Sequence, residues 1–172
     1  MKITNSDNRG FTIVELLIVI VVIGILAAIT IVAFNGIQQR ARNTQVTSGV
    51  RTYIGAIKQY AVLNSGYPTQ AGCLGEGYPD TYCWVGDSGT WRTYDNLDDE
   101  IEKVISTQPT LATERFSIGI GNNMRAGALY QVTGGHRIVY YLQGTSQTCL
   151  PGSTSTNEGG VVTQCVYRFP AL

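Results

Sequence analysis

The chain has 172 residues, 44% of them apolar, which is material for one ordinary domain and excludes a disordered polymer, a collagen or a coiled-coil rod. Twelve basic side chains cancel twelve acidic ones, so no overall positive field exists to hold nucleic acid or an anionic bilayer by charge alone. Two or more independent enzymatic domains are excluded by length.

Residues 11–34 (FTIVELLIVIVVIGILAAITIVAF) form a run of 24 with a single charge, Glu15. At about 1.5 Å per residue, a helix of that length crosses a hydrocarbon core roughly 30 Å thick. The run is therefore predicted to span a membrane. A buried core helix would need more surrounding protein than this domain can supply. A secretory signal would be shorter and followed by a small-residue cleavage site. Here the polar leader MKITNSDNRG, residues 1–10, precedes the run and ends in Gly10. A carboxylate in hydrocarbon costs about 2.5–3.5 kcal/mol even on lenient insertion scales, so Glu15 needs a partner or a role. The next basic residue on the helix, Arg40, is 25 positions away. The partner must come from outside the helix or be its own freed N-terminus.

Gly10-Phe11-Thr12-Ile13-Val14-Glu15-Leu16, followed by the apolar run, resembles the processing signature of type IV prepilins and related pseudopilins. The resemblance covers about the first 40 residues, roughly a quarter of the chain. It implies that a membrane-embedded prepilin peptidase cuts between Gly10 and Phe11 and methylates the new amino group of Phe11. A residue without Cβ at Gly10 lets the peptidase approach the backbone. It also implies that Glu15 pairs with the Phe11 amine of a neighbouring subunit. The family pattern commonly places a proline about eight residues after the glycine of the apolar run. Here Gly24 is followed by Val32 at that position, and no proline precedes Pro68. Local melting of the helix in a filament would then rest on Gly24, Thr30 and the β-branched run 29–32, all weaker helix formers than Ala or Leu.

Beyond Asn35 the apolar residues Ile37, Ala41, Val46, Val50, Ile54, Ile57 and Ala61 recur every three to five positions, with Arg40, Arg42, Arg51 and Lys58 between them. The helix continues through 35–65 as an amphipathic half. From Phe11 to Leu63 it would run about 53 residues, roughly 80 Å, until Asn64-Ser65-Gly66-Tyr67-Pro68 supplies stop signals. A helix this long cannot be enclosed by its own small domain, so its first half must bury itself in lipid or among other copies. The basic residues suit surface solvation, or pairing with acids of neighbouring subunits, better than phosphate binding. Gly36, Gly49 and Gly55 weaken the helix by about 1 kcal/mol each relative to Ala and permit bends.

Lys2 and Arg9 before the apolar run balance Arg40 and Arg42 after it, so charge alone does not orient the span. Cys73, Cys83, Cys149 and Cys165 all follow the helix and lack zinc-site spacing. They favour an oxidised, extracytoplasmic globular region over 66–172. Four cysteines allow three connectivities. The local loops, Cys73 with Cys83 and Cys149 with Cys165, are preferred, and the second would resemble the disulfide-bounded region many pilins expose.

Residues 66–94 read as a long Gly/Pro/Thr-rich loop with short strands. Its aromatics, Tyr67, Tyr78, Tyr82, Trp84, Trp91 and Tyr94, suit packing better than base or sugar stacking. A short helix is predicted over 95–105, its acids favoured by the helix dipole; they lack the spacing of a calcium loop. Strands follow at 115–120, 128–133, 137–142 and 161–169, with a tight hairpin turn at Thr133-Gly134-Gly135-His136. Residues 144–160 read as a Ser/Thr/Gly loop facing outward. The fold class is α+β: a long N-terminal helix laid on an antiparallel sheet of about four strands, as the pilin resemblance also implies.

His136 is the one histidine, and no catalytic, cofactor or metal constellation is read. The resemblance implies a structural subunit carried as an inner-membrane, single-pass precursor. An assembly platform and its ATPase would then build it with other copies into a helical surface filament for adhesion and twitching motility. A host surface or DNA would be the outer partner. The alternatives are a pseudopilin of a secretion or competence system and a single-span anchor that never assembles.

Overall fold

A computed structural model describes residues 11–78, 82–85, 91–93, 97–119 and 123–172. The chain divides into two compact units, Met1–Gln38 and Gln39–Leu172. One helix, α1 (Ile13–Asn64), begins in the first unit and ends in the second. The remaining elements are β1 (Gly72–Leu74), β2 (Tyr82–Val85), β3 (Trp91–Thr93), α2 (Leu97–Ile101), β4 (Phe116–Ser117), β5 (Met124–Arg125), β6 (Ala128–Gln131), β7 (Arg137–Gln143), β8 (Ser153–Glu158) and β9 (Val162–Arg168).

These strands form two antiparallel sheets rather than the one sheet of about four strands expected. The larger has five strands in the order β1-β6-β7-β9-β8, the smaller four in the order β3-β2-β5-β4. The fold is α+β. In the second unit α1 turns Val46, Val50, Tyr53, Ile57 and Ala61, spaced three or four residues apart, against Tyr130, Ile138, Tyr140 and Leu142 of the larger sheet. That spacing is the helical repeat of one buried stripe. Tyr53, absent from the expected stripe, is fully buried, whereas Ile54 is half-buried and Ile37 and Ala41 are exposed. Tyr53 combines an apolar ring with a polar tip that donates a 3.2 Å hydrogen bond to Gln108 Oε1.

Asn43 on α1 joins the helix to the end of β7, accepting the Gln143 N–H at 2.8 Å and donating to the Gln143 carbonyl at 3.0 Å. Arg42 is ion-paired within the chain, to Glu114 at 2.5 Å, where pairing with a neighbouring subunit or plain solvation was the expectation. Gly49 is buried rather than a bend point. A Cβ there would lie 2.9 Å from Leu111 Cδ1, so the glycine admits the Leu111 side chain against the helix.

The helix ends at Asn64, and the left-handed position after it is taken by Ser65 (φ 55°) rather than Gly66. An L-residue there costs roughly 1–2 kcal/mol, of which glycine's own entropy cost returns part. Ser65→Gly is therefore expected to stabilise the fold by about 0.5–1 kcal/mol, read as a rise in the urea midpoint at unchanged slope.

Strands were expected at 115–120, 128–133, 137–142 and 161–169. The last three correspond to β6, β7 and β9, while the first shrinks to the two-residue β4. The Thr133–His136 turn joins β6 to β7, whose register includes Gln131↔Arg137. The expected loop 144–160 instead contains β8, an edge strand paired with β9 from Ser153↔Tyr167 to Glu158↔Val162. Its sequence, STSTNE, has no apolar alternation because it packs through its backbone and faces solvent. The signal that marked it was Gly159-Gly160, both at positive φ (56° and 68°), in the turn that returns the chain to β9.

Helix α2 covers five residues of the predicted 95–105, and Asp95 and Asn96 lie outside the described residues. Leu97 and Ile101 are fully buried. Glu100 does more than favour a helix dipole, because its carboxylate accepts hydrogen bonds from Thr69 N (2.9 Å), Thr69 Oγ1 (3.0 Å) and Gln70 N (3.4 Å). Among the loop aromatics, Tyr67 and Tyr78 are buried and Tyr82 and Trp84 half-buried. Tyr94 and the Trp91 side chain fall outside the description.

The two sheets meet at a buried guanidinium. Arg125 on β5 donates from Nε to Glu158 Oε2 of β8 at 2.9 Å. Its charge lies over the Trp84 ring at 5.2 Å and the Tyr141 ring at 5.7 Å.

Candidate functional site

The first unit is chemically simple. Sixteen large apolar side chains from Phe11 to Phe34 are exposed, from 48% at Val22 to 88% at Phe11. The most apolar stretch has a mean hydropathy of 3.3 and nothing of it is buried. Burying side chains of this kind is worth roughly 1.5–3 kcal/mol each, tens of kcal/mol together, beside a typical net folding stability of about 5–15 kcal/mol. A surface of this size needs lipid or protein around it.

Its N-terminal edge carries the charge. Glu15 Oε2 accepts the Thr12 N–H at 2.9 Å and the Thr12 hydroxyl at 2.8 Å, while Thr12 Oγ1 accepts the Glu15 N–H at 3.2 Å. This reciprocal pair is a capping box at the start of α1, satisfying two backbone donors that the first turn otherwise leaves open. Thr12 is thus a partner of Glu15 at the helix start itself, and Thr-x-x-Glu before an apolar run is the sequence sign of that cap. Only Oε2 is engaged in these bonds. Glu15 can therefore hold the helix start through one oxygen and meet a cation with the other.

The expected cut falls two residues before the helix begins, between Gly10, outside the described residues, and Phe11, which is exposed and precedes α1. Phe11 and Glu15 thus stand four residues apart at the start of α1. Gly24 lies inside an unbroken α1, with nothing within 4 Å of where its Cβ would stand.

The four cysteines lie in the second unit. Cys73 bonds Cys83 and Cys149 bonds Cys165, with Cα atoms 5.7 and 5.8 Å apart. Closing loops with sequence separations of 10 and 16 restricts the unfolded chain, worth about 3 kcal/mol apiece. The second bond clamps the β8–β9 hairpin. Beneath it burial raises the pKa of Tyr140. The phenol stays protonated, accepting the Leu150 N–H at 2.6 Å and donating to Ser153 Oγ at 3.3 Å. Among the described residues, no group of three or more His, Cys, Asp or Glu could hold a metal ion.

The model of the prokaryotic N-terminal methylation motif matches residues 5–31. Type II secretion system core protein G of Klebsiella pneumoniae is 38% identical over 62 residues, 36% of this chain and 44% of that protein. Type IV major pilin protein PilA of Myxococcus xanthus is 41% identical over 56 residues, covering 33% and 26% of the two chains. Type IV wide pilus major component PilA4 of Thermus thermophilus is 36% identical over 68 residues, covering 40% and 52%. The chain spans about half or less of the length of these relatives. No solved structure matches.

An apolar helix bearing the methylation motif is what this chain shares with the class of type IV pilins and type II secretion pseudopilins, and in this chain an α+β unit follows it. Members of this class are structural subunits and not enzymes.

Proposed function

We propose that this chain is the structural subunit of a type IV pilus. The supporting observation is the exposed apolar helix that carries the methylation motif, a surface that bilayer lipid and sister helices can cover in turn. In this reading residues 1–10 are the leader and 11–34 first anchor the precursor in the inner membrane. The prepilin peptidase cuts after Gly10 and methylates Phe11, which leaves Thr12 second in the mature chain, so the capping box survives. Glu15 then meets the Phe11 amine of a neighbouring copy as an assembly platform and its ATPase draw the subunit from lipid into a helical surface filament. The sheet unit faces outward and serves adhesion and twitching motility.

N-terminal sequencing and intact mass of fibres sheared from cells test this directly. The expected product begins at N-methylated Phe11 and is the principal component of the fibre. A chain still beginning at Met1, or trimmed chain that never leaves the membrane while the assembly apparatus runs, refutes it. A pseudopilin of a secretion system is the second reading, supported by the similarity to core protein G. It is selected if the trimmed chain is absent from surface fibres and its deletion blocks protein export.

A further inference from the structure

The five-stranded sheet turns one face to α1 and packs Val139, Tyr141 and Val162 of the other against the smaller sheet. On that second face Gln131 of β6, Arg137 of β7 and Arg168 of β9 form one cross-strand row, with Gln131 opposite Arg137 and Arg137 opposite Arg168. Like charges directly opposite on antiparallel strands repel and destabilise the pair. No acid relieves this one, because among the described residues neither Arg137 nor Arg168 forms an ion pair. Gln131 Oε1 accepts from Arg137 Nε at 2.7 Å and fixes the direction of that guanidinium.

The two arginines line one side of a cleft of about 360 Å³, within the range of small-ligand sites. Its floor is Val139 and Val166, and its far end is closed by the Trp84, Arg125 and Tyr141 stack. Arg125 is neutralised by Glu158, which also accepts from Gln164 Nε2 at 2.5 Å. The cleft therefore carries an excess of two positive charges, both at the end where Gln131 stands, while Gln164 lies opposite Tyr141 toward the other end.

We propose that this cleft binds a uronic-acid residue of an acidic polysaccharide, the sugar carboxylate held between Arg137 and Arg168. Two planar guanidiniums on directly opposed strand positions, both lining one cleft, suit a carboxylate, which a guanidinium can grip through paired N–H donors. The amides suit ring hydroxyls, and the valine floor suits the apolar face of a sugar. A nucleic-acid strand fits less well, because it needs a basic track for successive phosphates. The neighbouring β8 positions that pair with Val166 and Gln164 are the neutral Thr154 and Thr156. The Trp84 face that could stack a base is already covered by Arg125.

The proposal stands on the second unit alone, so its failure leaves the filament reading untouched. Titration calorimetry on the full chain in detergent micelles tests it, with tetragalacturonate as ligand and neutral galactotetraose and a single-stranded oligonucleotide as comparisons. Tetragalacturonate is expected to bind, and galactotetraose to give no measurable heat. Arg137→Gln and Arg168→Gln are each expected to weaken binding about tenfold or more. Arg168 is exposed, and its replacement by Gln removes a repulsion, so that variant is expected to melt at the parent temperature or slightly above. Equal affinity of the parent and both variants, equal binding of the neutral tetrasaccharide, or tighter binding of the oligonucleotide through the same two arginines would overturn the proposal.

Discussion

Glu15→Ala is expected to abolish filaments while cleavage after Gly10 continues, leaving trimmed subunit in the membrane fraction and none in sheared fibres. The variant loses two separable things. One is the acceptor for the Thr12 N–H and hydroxyl at the start of α1. A lost cap of this kind costs about 1 kcal/mol, which frays a first turn without unfolding a helix of 52 residues. The other, on the proposed filament reading, is a negative charge that would face a neighbour's amine in a low-dielectric surrounding, where removing one member of a buried pair typically costs about 3–5 kcal/mol. Glu15→Gln separates the two. Glutamine also completes a capping box, so it keeps the helix start and discards only the charge. Filament loss in both variants assigns the effect to charge pairing. Normal filaments from Glu15→Gln would assign it to the cap and remove Glu15 from any intersubunit role.

Arg125→Ala is expected to give the largest loss of stability in the sheet unit, about 3–5 kcal/mol, measured by urea denaturation of the full chain in micelles. The Arg125 side chain is 8% exposed and that of its partner Glu158 21%. The guanidinium also donates to the Met124 carbonyl at 3.2 Å and lies over two aromatic rings. Truncation leaves the Glu158 carboxylate with Gln164 in place of a cation and opens a void between the sheets. Arg125 and Glu158 replaced together by methionine should lose much less, since two matched apolar groups leave no charge behind. A loss under about 1 kcal/mol for Arg125→Ala alone would mean that the two sheets are held by packing of Val139, Tyr141 and Val162 against Trp84, Phe116 and Ile118, with the ion pair incidental. Burial also raises the pKa of Tyr141 beside this pair, offset in part by the positive charge of Arg125. The phenol remains neutral through the physiological range with or without the arginine.

The parts of this protein that were legible in the chain are those encoded by near neighbours. A run of 24 apolar residues with one acid needs no tertiary contact to be read, because its length against a bilayer and the cost of its charge are local quantities. The hairpin between β6 and β7 was equally open, since short continuous apolar runs flank a Gly-Gly turn. The Thr12–Glu15 cap is just as local, its sign being the three-residue spacing of Thr and Glu rather than the charge of Glu15.

Tertiary structure alone decided the rest. Strand β8 has no apolar face to announce it, since an edge strand can be held by the backbone of β9 and a covalent clamp between Cys149 and Cys165. The smaller sheet is built from strands of two to four residues, too short for a period to register. Arg125 meets Glu158 across 33 residues, and Arg137 faces Arg168 only because β7 and β9 take that register. Sequence by itself determined where this protein must be buried, because hydrophobicity is additive along the chain. Which polar groups stand together on the head depended on strand pairing, a non-local choice that no single segment contains.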